Sequence, residues 1–67
     1  MIIEINNEIK TITENFSAQQ VFELLQIQNT NGYALAINNN VIPKSKWTET
    51  ILKENDKVLV IQATQGG

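Results

Sequence analysis

Only one stretch of this chain spaces its apolar residues as a helix does, and that restricts the fold more than any other feature. Val21, Leu24 and Leu25 follow i, i+3, i+4 spacing, Gln28 falls at i+7, and Phe22 widens the stripe. Ser17-Ala-Gln-Gln20 stands directly before it and reads as a capping box. The Ser17 hydroxyl accepts from the Gln20 backbone N–H, and the Gln20 side chain reaches back to the Ser17 amide. The spacing predicts an amphipathic helix from Ala18 to about Gln26, ended by the "NTNG" run of Asn29 to Gly32, with Gly32 suited to a positive φ. A single striped helix must bury its stripe against something, and the rest of the chain offers strands.

Met1 to Asn6 alternates, with Met1, Ile3 and Ile5 on one face and Ile2 and Glu4 on the other. Asn6-Asn7 is turn chemistry, and a second strand over about Ile9 to Thr13 makes a hairpin. In Tyr33 to Asn38, Leu35 and Ile37 are large on one face, and Ala34 and Ala36 are small on the other. Asn38-Asn39-Asn40 turns the chain into a brief Val41-Ile42 strand that Pro43 terminates. Lys44 to Leu52 reads as a loop or short helical turn anchored by Trp47 and Ile51, with Trp47 against the sheet edge. After a Glu54-Asn55-Asp56 turn, the last strand runs from Lys57 to Ala63. The order predicts an α+β fold: a mixed sheet of four to five strands, one helix on one face, and the first and last strands adjacent at the centre.

Composition narrows the chemistry. A chain of 67 residues makes one small domain, and domains this small often need a disulfide or a metal. With no Cys and no His, neither staple is available, and thiol or imidazole catalysis, zinc-finger sites and haem sites are excluded. A net charge of -2 argues against general nucleic-acid binding. The apolar runs are too short for a membrane helix, and "MIIEINNEIK" lacks a secretory n-region, so a soluble cytoplasmic domain is expected. Glu4, Glu8, Glu14, Glu23, Glu49, Glu54 and Asp56 are scattered rather than paired, and no Gly-rich phosphate loop is present. Lys44, Lys46, Lys53 and Lys57 are expected to be solvated. The expectation is a chain with no catalytic residues, no metal and no bound cofactor.

The last strand is apolar on both faces. If Val58 and Val60 join Ile3, Ile5, Leu35 and Ile37 beneath the helix, then Leu59 and Ile61 lie on the open face with Ile2, Ala34 and Ala36 near them. Such a patch reads as a partner surface. It leads into "ATQGG", so residues 1–64 are expected to form the domain and residues 65–67 a flexible tail. Residues without a Cβ let a backbone thread into a narrow site and put no bulk beside an acyl carbon under attack. The reactive atom would then be the Gly67 carboxyl carbon, with Gly66 and Gln65 threading into a partner.

At this point the sequence resembles the ThiS family, the bacterial sulfur carriers of thiamine (thiazole) biosynthesis within the ubiquitin-like β-grasp superfamily. The resemblance spans the chain, through "MIIEIN", "VFELL", "GYALAINNNVIPKSKW", "ENDKVLVIQA" and the terminal "GG". Thr64-Gln65 is more polar than the family pattern. The resemblance implies that an E1-like, ThiF-type adenylyltransferase adenylates Gly67 with ATP, and that sulfur from a cysteine desulfurase converts it to a thiocarboxylate. A ThiG-type thiazole synthase then takes the sulfur. The small subunit of molybdopterin synthase, a non-covalent β-grasp binding module and a protein tag for target lysines are the alternatives.

Overall fold

The computed structural model describes residues 1–63. Five strands, one α-helix and one 3-10 turn follow the order β1 (Ile2–Ile5), β2 (Glu8–Thr11), α1 (Ala18–Leu24), β3 (Tyr33–Ile37), β4 (Asn40–Ile42), the turn Lys44–Lys46, and β5 (Lys57–Gln62). The strands form one sheet in the order β2-β1-β5-β3-β4, with β5 parallel to β1 and antiparallel to β3. The last strand is therefore central, beside the first, as the sequence predicts. The expected boundary between residues 1–64 and 65–67 lies outside the described residues.

Both hairpins turn on asparagine pairs. Asn6 and Asn7 have φ of 51° and 68°, and Asn38 and Asn39 have φ of 51° and 70°. Two positive φ values in a two-residue loop match the right-handed twist of the flanking strands, and asparagine tolerates them better than other residues with a Cβ. Because the second loop needs only Asn38 and Asn39, Asn40 is already paired with Ile37 in the sheet.

The capping box forms as expected: the Gln20 N–H donates to Ser17 Oγ at 3.2 Å, and the Ser17 N–H donates to Gln20 Oε1 at 2.8 Å. The helix ends earlier than the "NTNG" run. Gln26, at φ 62°, takes the left-handed position, its N–H donates to the Glu23 carbonyl, and the Ile27 N–H donates to the Phe22 carbonyl. This pair of bonds is a Schellman cap, and Ile27 packs onto the core just beyond it. Gly32 does have a positive φ, of 81°, but it serves the turn entering β3.

The buried stripe runs through positions 18, 21, 22 and 25. Ala18, Val21 and Phe22 are buried, with Leu25 packed at the margin, whereas Leu24 is exposed. The helix covers Ile3, Ile5, Leu35, Ile37 and Val58 on one sheet face. Segment 43–52 closes the remaining side of the core. Trp47 is buried, stacks on Phe22 at 4.5 Å between ring centroids, and donates Nε1–H to the carbonyl of Ile42 on edge strand β4 at 2.8 Å. It reaches the sheet edge as expected and continues into the core. Ile51 does not anchor the segment: it is exposed, and Leu52 is the buried neighbour. The reason is the Ser17–Ile51 bridge beside the Leu52 N–H bond to Phe16, which points residue 52 inward and residue 51 outward.

Candidate functional site: the open sheet face and the exit of the central strand

Register arranges the face away from the helix in rows. Ala36 pairs with both Leu59 and Val41, and Ala34 pairs with Ile61. Leu59 is 38% exposed, Ile61 52% and Val41 72%, and the small Ala36 lies buried between Leu59 and Val41. Glu4 pairs with Lys57 and with Ile9, forming a row that carries both charges. Ile2 lies one row further, where its carbonyl accepts from the Asn55 N–H.

Four of the five expected patch residues thus come together: Ala34, Ala36, Leu59 and Ile61. Ile2 does not join them. It shares their face, but it lies two β1 residues before Glu4, whose partner Lys57 is four β5 residues before Ile61, an offset of roughly 20 Å along the strands. The Glu4/Lys57 row lies between. Alternation assigns a residue to a face; only register assigns it to a level along the strand, and β1 runs parallel to β5 from the opposite end of the patch.

Val41 is the patch member that sequence reasoning missed. Its signal was present in the alternation with Ile42, but the level opposite Ala36 depended on the length of the asparagine turn. Two further residues set the exit of β5. The β1–β5 ladder stops after Ile5 and Val58, where β1 turns away, and the Asn6 side chain takes over: its Oδ1 accepts from the Val60 N–H at 2.9 Å. On the other side, the Gly32 carbonyl accepts from the Ala63 N–H at 2.7 Å. Neither contact has a local signal, because each partner lies more than thirty residues away. Gln65, Gly66 and Gly67 lie outside the described residues.

Lys44, Lys46, Lys53 and Lys57 are exposed, and Lys46 approaches Glu49 at 3.8 Å. Among the described residues no three carboxylates cluster as metal ligands. No helix among them is long and apolar enough to cross a membrane.

The family model described as the ThiS family matches residues 3–67 of the chain. The chain belongs to the ThiS family. This ThiS-family chain is 38% identical over 53 residues to "Sulfur carrier protein ThiS" of Escherichia coli (strain K12), covering 76% of this chain and 80% of that relative. A crystal structure of the thiamine biosynthesis protein (ThiS) of Geobacter metallireducens superposes with a TM-score of 0.85 at 19% identity, covering all of both chains. An NMR structure of a thiamine biosynthesis protein from the same organism gives 0.79 at 19% identity, covering 100% of this chain and 88% of that one. The architecture is the ubiquitin-like β-grasp of that ThiS fold.

Proposed function

We infer that this chain is a sulfur carrier protein of thiamine biosynthesis, and that the Gly67 carboxyl carbon holds the sulfur as a thiocarboxylate. The match of residues 3–67 to the ThiS family carries the reading. The fold supports it, because central strand β5 ends at Gln62, five residues before Gly67, with the Leu59 and Ile61 side chains on its open face.

A carboxylate is a poor electrophile until an oxygen becomes part of a good leaving group. An E1-like, ThiF-type adenylyltransferase supplies this by letting a Gly67 oxygen attack the α-phosphorus of ATP, with pyrophosphate leaving. A sulfur nucleophile derived from a cysteine desulfurase then displaces AMP at the acyl carbon. A ThiG-type thiazole synthase consumes the thiocarboxylate. The chain acts as a covalent co-substrate rather than an enzyme. It contributes the docking rows Ala34, Ala36, Val41, Leu59 and Ile61 and an end in which Gln65 and Gly66 thread into the partner.

Incubation with ATP, a ThiF-type enzyme and a sulfur source should replace one oxygen of Gly67 with sulfur, read by intact mass and by fragmentation to the last residue. Removal of Gly67 should abolish the exchange and leave the thermal midpoint unchanged within about 2 °C, the range of a change that removes no core contact. An unaltered mass with an activating enzyme that is competent on its own carrier would refute the reading.

A further inference from the structure

We propose that Asn31 is a site of spontaneous deamidation, and that the product loosens the point where β5 leaves the sheet. Asn31-Gly32 is the only asparagine–glycine step in the chain. The Tyr33 N–H donates to the Thr30 carbonyl at 3.0 Å, closing a turn with Asn31 and Gly32 at its centre. Gly32 has φ of 81° while Asn31 is not at positive φ, which makes the turn type II. Asn31 is exposed, and among the described residues neither its carboxamide nor the Gly32 N–H takes part in a hydrogen bond.

The asparagines of the two hairpins are held differently. Asn6 Oδ1 accepts from the Val60 N–H, and Asn38 bonds through both side-chain atoms, to the Lys57 N–H and to Asp56. Asn7 and Asn39 follow them, and a Cβ on the next residue hinders approach of its nitrogen to the carboxamide carbon. At Asn31 the neighbour is a glycine, and the carboxamide is unheld among the described residues.

The reaction needs only base and water. The Gly32 nitrogen loses its proton and attacks Asn31 Cγ; the N–Cγ bond forms, the Cγ–Nδ2 bond breaks, and ammonia leaves. Water then opens the succinimide at either carbonyl, giving aspartate or isoaspartate, with no change of oxidation state. Isoaspartate routes the main chain through the side-chain carbon, adding one methylene immediately before Gly32, and leaves a carboxylate. The Gly32 carbonyl is the acceptor for Ala63, the last β5-side backbone bond among the described residues. Lengthening the chain there displaces that acceptor. Any effect on acyl transfer rests on the carrier reading; the chemistry and the loosening do not.

The test ages the purified full chain in mildly alkaline buffer and maps peptides by mass with separation of aspartate from isoaspartate. Asn31 should convert before any other asparagine, with isoaspartate the major product, and Asn31→Gln should suppress it. Hydrogen exchange at the Ala63 amide should rise about threefold to tenfold in the isoaspartyl form, the effect of losing one net hydrogen bond. It should stay near the starting value in Asn31→Asp, which has the charge without the added methylene. Equal or faster conversion at the hairpin asparagines, or unchanged Ala63 exchange in the isoaspartyl protein, would overturn the proposal.

Discussion

Trp47→Phe tests whether segment 43–52 is part of the core or a cover over it. The change keeps an aromatic ring against Phe22, now stacked at 4.5 Å, but removes the five-membered ring and the Nε1–H that reaches the Ile42 carbonyl at 2.8 Å. Losing that bond costs about 1 kcal/mol. The missing ring withdraws roughly 40 Å² of apolar contact, about 1 kcal/mol at 25 cal/mol/Å². An unfilled void of roughly 40 Å³ adds up to about 1 kcal/mol. The expected loss is therefore about 2–3 kcal/mol, a large share of the roughly 3–10 kcal/mol typical of a chain this size. Urea unfolding followed by far-UV circular dichroism should show a lower midpoint at an unchanged slope. A loss below about 0.5 kcal/mol would refute the claim that the indole joins edge strand β4 to the helix, since that is the range of ordinary surface substitutions.

Leu59→Asp or Ile61→Asp should leave the fold intact, because both side chains are largely on the open face, yet slow adenylation by the activating enzyme at least about tenfold, the loss of roughly 1.4 kcal/mol of docking. Ile2→Asp should leave that rate nearly unchanged, and an equal effect from all three would place the partner surface elsewhere. Leu52→Ala should cost about 2–5 kcal/mol in denaturant unfolding, and Ile51→Ala under about 1 kcal/mol; the reverse order would contradict the inward placement of residue 52.

The sequence by itself determined what is settled within a few residues of chain. The Ser17/Gln20 box is satisfied within four residues, and the paired positive φ values of the two asparagine turns are set by the turn residues themselves, so these signals are complete in the residues that form them. Alternation assigned Leu35, Ile37 and Val58 to the buried face and Leu59 and Ile61 to the open one, because a strand's side chains have a fixed period. The α+β order with one helix on a mixed sheet followed from having a single stripe to bury.

Tertiary structure decided whatever depended on partners distant in the chain. Gln26 could take the left-handed cap because Ile27 gains a place on the core beside it, which removed the need for the glycine six residues later. Leu24 pointed outward once Ala18, Val21 and Phe22 faced the sheet. Trp47 became core because the helix left room over Phe22 and β4 offered a carbonyl at the right distance. Val41 entered the open-face rows and Ile2 left them, since strand register fixes position along the sheet and a periodic pattern carries no information about offset between strands.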